Sequence, residues 1–257
     1  MADSAVVIGL VRPSLLGTYG DGGNATVLAE RLRRRGMAAE VVSLDGNATV
    51  PESCDICVLG GGEDTAQAGL ASDEALGRSL ARAVDRGSTV LAVCAGFQVL
   101  GTSFVTGSGD VRPGFGLIDC ATAERLPRRA VGEVVAVPRL AGLPVLTGFE
   151  NHGGRTLLGA GVQPLARVEQ GVGNGDDAGT DGAVAGRVVG TYLHGPVLAR
   201  NPALADLLLS WTVGELAPLD LPEVDRLRQE RLRSARSAGP AGTATRLWRL
   251  RRLGRGR

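Results

Sequence analysis

The sequence predicts an α/β protein whose core is a mostly parallel β-sheet covered by helices on both faces. Over residues 1–210, short apolar runs alternate with amphipathic stretches, and glycine-rich turns separate many of them. Strands that alternate with helices form parallel sheets, because each helical connection crosses over one face of the sheet. With 257 residues, 44% of them hydrophobic, the chain is long enough for one such domain and an appendage.

The predicted elements follow one another in a regular order. Asn24 is expected to cap the first helix, which Gly36 ends, and Gly87 ends the second helix in the same way. The functional side chains of such a sheet gather at the carboxyl ends of its strands. In chain order, the predictions are strand 5–11, helix 24–36, strands 38–44 and 56–62, helix 75–87, strand 88–94, helix 95–101, strand 188–196 and helix 201–214.

The alternation of strands and helices changes between Gly114 and Arg167. Short β-like runs joined by glycine and proline replace it, over 114–122, 132–138, 144–152 and 164–171. We expect these runs either to add antiparallel strands to the sheet or to form a flap over it. The glycine- and aspartate-rich run 171–187 is predicted to be a mobile loop.

The composition favours a cytoplasmic protein without a metal of its own. An acidic residue stands where a secretory signal carries basic ones, and no apolar run reaches the length of a membrane span. Four cysteines form no disulfide framework. Cys54 and Cys57 form a CDIC motif, but residues three apart on a strand point to opposite faces. Cys94 and Cys120 supply no second pair of the kind that binds zinc.

The charge of the chain is unevenly distributed. Residues 223–257 carry 11 arginines and three acidic residues, whereas the whole chain has a formal net charge of +1 and contains no lysine. We divide the chain into a domain over 1–216 and a basic, partly helical or disordered tail over 217–257. Such a tail is typical of a solvated helix with a frayed end. Contact with an anionic membrane surface is the functional alternative, while the acidic remainder argues against nucleic acid.

Cys94 is the first candidate for chemistry. It ends the predicted strand 88–94 and precedes Ala95 and Gly96, the small residues that a cramped strand-to-helix corner requires. A sulfur at the N-terminus of a helix lies where the helix dipole favours the thiolate. Taken alone, this pattern fits a small buried residue about as well as it fits a nucleophile.

A cysteine nucleophile needs a base, and the chain offers two histidines. His194 follows a strand-like run directly before Gly195 and Pro196, so it is expected to meet Cys94 at one edge of the sheet. His152 lies in the inserted β region. The positions favour His194 as the base, although a structural role fits either histidine.

The run "VLGGGED" ends another predicted strand with three glycines. An oxyanion hole needs backbone N–H groups that point at one oxygen, and those of Gly61 and Ala95 form a candidate pair. A glycine-rich turn between a strand and a helix explains the same run. A phosphate-binding P-loop is excluded, because its lysine and the following serine or threonine are missing.

Six motifs follow one another along the chain: GTYGDGGN, GGGED, CAGFQVLG, PGFGLID, GFENHGGRT and GTYLHGP. Together, they resemble the class I glutamine amidotransferases, in particular their cobyric-acid-synthase-like branch. Within that branch, the sequence is most similar to the glutaminase (GatD-type) subunits of lipid II isoglutaminyl synthase. The resemblance extends from Val6 to Leu209 and implies a three-layer, flavodoxin-like fold with added antiparallel β segments.

The resemblance implies catalytic roles for four residues. Cys94 would attack the side-chain amide of glutamine, forming a γ-glutamyl thioester and releasing ammonia. His194 would accept the thiol proton and pass one to the leaving ammonia. Gly61 and Ala95 would hold the oxyanion.

The resemblance also implies substrate-binding residues and a partner. Gln98 and Gly60 would help to position L-glutamine, and Arg129, with Arg128 as the alternative, would hold its carboxylate. The chain itself would need no cofactor. A Mur-ligase-like partner in a heterodimer would use ATP and Mg to activate the D-glutamate of lipid II, which becomes D-isoglutamine in peptidoglycan synthesis. The expected location is the cytoplasm, at the inner face of the plasma membrane.

Two departures from the general class I pattern narrow the resemblance. Ala92 stands two residues before Cys94, where most members have glycine, and Pro196 stands two residues after His194, where most have glutamate. The GatD-type subunits share both departures. The second one leaves no orienting carboxylate at its usual place. We therefore hypothesise that an acidic residue of the partner completes the triad and that the isolated chain is a weak glutaminase.

Two other functions compete with this one at the level of sequence. A cobyric-acid-type amidotransferase shares the cysteine corner and the last histidine, but such enzymes usually fuse an ATP-binding domain N-terminal to them, and "GFENHGGRT" favours the cell-wall enzyme. The other alternative is a non-catalytic scaffold on the same fold. The intact Cys94 and His194 and the glycine turns argue against it.

Overall fold

The computed structural model describes residues 4–17 and 19–237, which form two six-stranded β-sheets and seven helices. The strands are β1 (Val6–Val11), β2 (Ala39–Leu44), β3 (Ile56–Leu59), β4 (Thr89–Val93), β5 (Ser103–Val105), β6 (Val111–Pro113), β7 (Cys120–Pro138), β8 (Leu146–Leu158), β9 (Ala166–Gln170), β10 (Thr180–Asp181), β11 (Ala183–Ala185) and β12 (Val188–Thr191). The helices are α1 (Gly23–Arg33), α2 (Asp64–Ala71), α3 (Glu74–Asp85), α4 (Ala95–Leu100), α5 (Val197–Arg200), α6 (Pro202–Val213) and α7 (Pro222–Ser237).

The first sheet has the strand order β11–β12–β4–β3–β1–β2. All its strands run parallel except β11, which pairs antiparallel with β12 at the edge. The five parallel strands follow the flavodoxin-like order, in which the chain changes direction beside the first strand. The predicted mostly parallel sheet is confirmed, and the carboxyl ends of β12, β4, β3 and β1 lie next to one another.

The inserted β region forms a sheet of its own. Its order is β10–β9–β7–β5–β6, and β8 pairs antiparallel with β7 in a long hairpin. A bridge joins this sheet to the first one, because Phe149 of β8 and His194 exchange both backbone hydrogen bonds, at 3.0 and 2.8 Å. The second sheet therefore lies beside the carboxyl edge of the first, next to the candidate residues.

Three local expectations need correction. Asn24 does not cap α1: the helix begins at Gly23, and the Asn24 side chain instead accepts a hydrogen bond from the backbone N–H of Leu198 at 2.9 Å, which ties α1 to α5. The run 171–187 is not a loop throughout, because it contains β10 and β11. Besides β10 and β11, the elements that the sequence did not predict are α2, α5, β5 and β6.

The geometry expected for the CDIC motif is wrong. Strand β3 begins at Ile56, so Cys54 precedes the strand and does not follow its alternation of faces. The two sulfur atoms of Cys54 and Cys57 lie 3.6 Å apart, and both residues are buried. Within residues 4–17 and 19–237, no group of three or more histidine, cysteine, aspartate or glutamate side chains is arranged to hold a metal ion.

The first part of the predicted tail is the helix α7, which packs on the second sheet. Arg228 donates a hydrogen bond to the carbonyl of Val145 at 2.6 Å, and Gln170 donates one to the carbonyl of Ala235 at 2.7 Å. The rest of the predicted tail, 238–257, lies outside the described residues. None of the described helices combines the length and the apolar character needed to cross a membrane.

Gly190 allows α4 to pack directly on β12. A Cβ atom at Gly190 would lie 2.0 Å from Cδ2 of Phe97, whose side chain is fully buried. Gly190→Ala should therefore lower the free energy of unfolding, by about 1–3 kcal/mol, as overpacking does in buried cores. Urea unfolding followed by circular dichroism measures this loss.

The matched control for this substitution is Gly69→Ala in α2, where a Cβ atom would meet nothing within 4 Å. It should leave stability unchanged or raise it by up to about 1 kcal/mol, since alanine is the better helix former. Equal stability of the Gly190→Ala protein and the wild type would contradict the packing described here.

Candidate active site

Cys94 lies at a strained corner between β4 and α4. Its backbone has φ 53° and ψ −108°, a region that residues other than glycine rarely adopt. Two hydrogen bonds hold the corner, from the N–H of Cys94 to the carbonyl of Thr191 at 2.8 Å and from the N–H of Gly96 to the carbonyl of Gly60 at 3.1 Å. Such strain persists only where the surroundings fix it, and it is common at functional sites. The predicted strand-to-helix corner is confirmed.

His194 and Cys94 come together because β12 and β4 are neighbouring parallel strands. Thr191 of β12 is paired with Val93 of β4, so the residues that follow both strands leave the sheet side by side. Gly61, which follows β3, lies between them. A Cβ atom there would be 2.6 Å from Cε1 of His194 and 3.4 Å from Cβ of Cys94. The three strand ends thus meet with no room for a side chain at position 61.

Asp21 orients the imidazole of His194. Its Oδ2 atom lies 2.8 Å from Nδ1 of His194 and accepts a second hydrogen bond from the N–H of Gly61 at 2.9 Å. Both the Asp21 and the His194 side chains are almost completely buried. A carboxylate on Nδ1 fixes the tautomer and leaves Nε2 to exchange protons. Nε2 is buried and has no hydrogen-bond partner within the described part of the chain.

The interpretation that this chain lacks an orienting carboxylate is therefore wrong, and the hypothesis of a partner acid loses its premise. Pro196 does occupy the usual position of the carboxylate, but the loop after β1 delivers Asp21 from 173 residues away in sequence. In the sequence, GTYGDGGN served only as a motif of the resemblance, and no role was predicted for its aspartate. The available signal was an aspartate just after the carboxyl end of another strand of the same sheet.

The charge distribution favours the protonated form of His194. Burial alone would lower its pKa, but the hydrogen bond to Asp21 and the neighbouring Cys94 outweigh burial and raise the pKa to about 9. The imidazolium is then the dominant form near neutral pH. A cation beside a cysteine stabilises the thiolate, which is the reactive form of the side chain.

A mostly polar pocket opens above Cys94, between the two sheets. Arg129 lines the pocket and Arg128 does not, which favours Arg129 of the two candidate arginines. Its guanidinium donates hydrogen bonds to the side chain and to the carbonyl of Asn151. Arg125, which the sequence analysis did not single out, lines the same pocket. The other lining residues are Gly62, Gln67, Ala95, Gln98, Val105, Thr106, Gly107, Asn151, His152, Gly153 and Gly154.

Gln98 lines the pocket as part of a fixed side-chain network. Its Oε1 accepts a hydrogen bond from Gln67 at 2.6 Å, and its Nε2 donates one to the hydroxyl of Tyr192 at 2.9 Å. Gln67 was not predicted from the sequence, because α2 was not. The two amides form one polar wall of the pocket.

Two of the glycine assignments do not fit the geometry. The N–H of Gly61 is bound to Asp21, so it is not free to hold an oxyanion. Gly60 is buried, does not line the pocket, and supports the corner through its carbonyl instead. Ala95 and Gly62 do line the pocket. Gly62 is therefore the residue of the glycine-rich run that lines the pocket, one residue later than expected.

His152 is held in a separate cluster. Its ring stacks on that of Tyr192, with centroids 3.8 Å apart, and its Nδ1 lies 3.1 Å from the carbonyl of Gly154. Its Nε2 lies 3.6 Å from Oε2 of Glu150. Of the two histidines, His194 alone has a carboxylate at hydrogen-bond distance, as the orientation of a general base requires.

The sequence profile of the CobB/CobQ-like glutamine amidotransferase domain matches residues 7–202. Among curated proteins, the chain is 36% identical to the GatD subunit of lipid II isoglutaminyl synthase (glutamine-hydrolysing) from Staphylococcus aureus, over 76% of this chain and 79% of that protein. It is 35% identical to the subunit of the same name from Streptococcus pneumoniae, over 77% and 76%. It is 43% identical to a cobyric acid synthase from Pelotomaculum thermopropionicum, over 51% of this chain but 27% of that protein.

Solved structures support the fold. A chain of the PurLQS structure from Thermotoga maritima superimposes with a TM-score of 0.52 at 18% identity, covering 82% of this chain and 98% of that one. The glutaminase domain of Trypanosoma brucei CTPS, solved with bound acivicin, superimposes with the same TM-score at 11% identity, covering 84% and 97%.

Replacing Asp21 by asparagine should lower the pKa of His194 from about 9. Asparagine keeps the size and one acceptor oxygen, but it lacks the negative charge that stabilises the imidazolium. The chain has only two histidines, so NMR titration of the ¹⁵N-histidine-labelled protein follows each separately, with His152 as an internal reference. An unchanged titration of His194 would contradict the role of Asp21.

Proposed function

The chain belongs to the CobB/CobQ-like glutamine amidotransferase family, and we propose that it is the glutamine-hydrolysing subunit of a lipid II isoglutaminyl synthase. The observation that carries the hydrolytic part is the arrangement of Cys94, His194 and Asp21, with Cys94 lining a polar pocket and the other two side chains buried. It contains the three parts that nucleophilic catalysis requires: a nucleophile at a strained corner, a base beside it and an acid that orients the base. A non-catalytic scaffold would need none of them.

In the first half of the proposed reaction, the Cys94 thiolate attacks the side-chain carbonyl carbon of L-glutamine. A C–S bond forms, and the carbonyl oxygen becomes an oxyanion. His194, protonated at Nε2, then gives its proton to the amide nitrogen as the C–N bond breaks, so that ammonia leaves. The product on the enzyme is a γ-glutamyl thioester.

In the second half, a water molecule attacks the thioester carbonyl. His194, now neutral, accepts a proton from this water, and the sulfur of Cys94 leaves as the thiolate. Glutamate departs, and the proton on His194 restores the imidazolium. Asp21 stabilises each imidazolium that forms. The sum is the hydrolysis of glutamine to glutamate and ammonia.

The N–H groups of Ala95 and Gly62 are the proposed oxyanion donors. Ala95 is the first residue of α4, so its N–H is among the donors that a helix leaves without an internal partner. Gly62 reaches the same pocket from the end of β3. Donors that are fixed before the reaction stabilise the developing charge without reorganisation.

The upper part of the pocket fits the amino-acid end of the substrate. Arg129 offers a planar guanidinium for the α-carboxylate, and such pairing is directional and strong. Arg125 adds a second positive charge in the same pocket. The amides of Gln98 and Gln67 form a polar wall that positions the substrate. These assignments extend the predicted roles of Arg129 and Gln98.

The acceptor and the partner are proposed from the relatives. The two GatD subunits match about as much of their own length as of this chain, whereas the cobyric acid synthase has most of its length outside the match. We propose a Mur-ligase-like partner that binds ATP and Mg and activates the D-glutamate of lipid II. Ammonia released here then converts that residue to D-isoglutamine.

The proposed working place is the inner face of the plasma membrane, because lipid II is a membrane-bound substrate. The basic residues after position 222 are suited to anionic headgroups. Of these, α7 is docked on the second sheet, and 238–257 lie outside the described residues.

Cys94→Ala should abolish glutamine-dependent amidation of lipid II by the complex with its Mur-ligase-like partner, because no thioester can form. Amidation with ammonium chloride as the nitrogen source should persist, since the synthetase site is intact. Mass spectrometry of the stem peptide measures both reactions. Amidation of a cobyric-acid-type acceptor, but not of lipid II, would contradict the proposed substrate.

Asp21→Asn should lower kcat for glutamine hydrolysis by about 10²-fold, in the lower part of the range that a positioned acid–base group contributes. The pH profile of kcat/KM should also shift to lower pH on the limb that follows His194. Asp206→Asn is the control, since it removes a carboxylate of similar size that pairs with Arg31. Equal activity of the two variants would argue against the triad.

A further inference from the structure

We propose that Tyr19 is a positioning residue that links the two halves of the active site, with its ring against His194 and its hydroxyl bound, through Asn151, to Arg129. The proposal rests on the proposed glutaminase function, because it assigns effects to catalysis and to glutamine binding separately. Neither the triad nor the oxyanion donors include this tyrosine.

Tyr19 adopts a conformation that its own preferences disfavour. It lies in the connection between β1 and α1, two residues before Asp21, and its φ is +63°. A bulky side chain in the left-handed region is uncommon and is retained where the surroundings determine it. The side chain is 45% exposed, so burial in the core does not account for this conformation.

The ring of Tyr19 lies against the catalytic imidazole. The ring centroids of Tyr19 and His194 are 4.8 Å apart at an angle of 58°, while Phe149 lies 6.5 Å from Tyr19 on the neighbouring sheet. Asp21 holds one nitrogen of the imidazole, and the aromatic contact limits rotation of the ring about that hydrogen bond. An aromatic ring close to a cation also favours the charged form. The same loop thus contributes both contacts to His194.

The hydroxyl of Tyr19 reaches the other half of the site. It accepts a hydrogen bond from Nδ2 of Asn151, while Oδ1 of Asn151 accepts one from Nε of Arg129. The carbonyl of Asn151 accepts a further hydrogen bond from the guanidinium of Arg129 at 3.1 Å. Asn151 therefore uses both ends of its side chain, one toward the loop after β1 and one toward β7 of the second sheet.

This chain of hydrogen bonds fixes an exposed arginine before the substrate arrives. A long side chain at the surface loses rotamer freedom when it binds a ligand, and this loss weakens binding. Arg129 is exposed and lines the pocket. Holding it through Asn151 and Tyr19 reduces the loss, so the hydroxyl of Tyr19 should act on KM. The ring, which contacts His194, should act on kcat.

Two substitutions separate these effects. Tyr19→Phe removes the hydroxyl alone and should raise KM for glutamine by about 5- to 10-fold, as expected for one hydrogen bond, with kcat within about twofold of the wild type. Asn151→Ala should raise KM in the same way. The double variant should show less than the product of the two effects, because both break one path.

Tyr19→Ala removes the ring as well. It should raise KM as Tyr19→Phe does, lower kcat by about tenfold, in keeping with the loss of one aromatic contact, and lower the pKa of His194 in the ¹⁵N-histidine titration. Kinetics are measured on the complex with the partner subunit. Leu15→Ala, which truncates an exposed side chain in the same connection, is the control and should change neither kcat nor KM.

The outcomes distinguish this proposal from the function on which it rests. Glutamine hydrolysis by the wild type, with unchanged kcat, KM and His194 titration in both Tyr19 variants, would overturn the role of Tyr19 and leave the proposed function standing. A wild-type complex that does not hydrolyse glutamine would overturn the proposed function, and the titration of His194 would still test the contact with the ring. A fall in kcat for Leu15→Ala equal to that for Tyr19→Ala would also overturn the proposal, because it would indicate general loosening of the loop.

Discussion

The carboxylate of Asp21 is the contact on which the rest of the site depends. One oxygen binds both the imidazole of His194 and the N–H of Gly61, so a single buried group joins the loop after β1 to the ends of β3 and β12. A buried carboxylate is costly unless hydrogen bonds and a cation compensate it. Here the imidazolium and a backbone donor do so at Oδ2, whereas Oδ1 is buried without a hydrogen-bond partner among the described residues. The same contact explains why Gly61 cannot also serve as an oxyanion donor, and why the partner need not supply an acid.

The second sheet turns this strand edge into a pocket. Phe149 of β8 forms two backbone hydrogen bonds with His194, and these fix the position of the imidazole relative to both sheets. The same hairpin carries Arg129 and Asn151, on the side of the pocket opposite the corner at Cys94. The proposed reacting groups thus come from the first sheet and the proposed substrate-binding cation from the second one. Tyr19 spans the gap between them.

The strained backbone of Cys94 is held in place by structural features that would lower stability elsewhere in a protein. The corner needs small residues after the cysteine, a glycine-rich strand end beside it and the close approach of α4 to β12. Each of these features leaves fewer side-chain atoms to pack in the middle of the domain. The fully buried ring of Phe97 fills the space over Gly190. Catalytic geometry and core packing are therefore built from the same few residues.

The sequence by itself determined the alternation of strands and helices, the corner at Cys94 and the choice of His194, because these features depend on local periodicity, on small residues and on the rule that strand ends meet at one edge. It did not determine that Asp21, Gln67 and Arg125 belong to the site or that the sulfur atoms of the free thiols Cys54 and Cys57 are in contact. Nor did it decide whether the inserted strands join the first sheet. These depend on contacts between segments far apart in the chain, such as the 173 residues that separate Asp21 from His194. Only the tertiary structure decided them, because a loop's composition limits its conformations but does not specify which strand end its side chains reach.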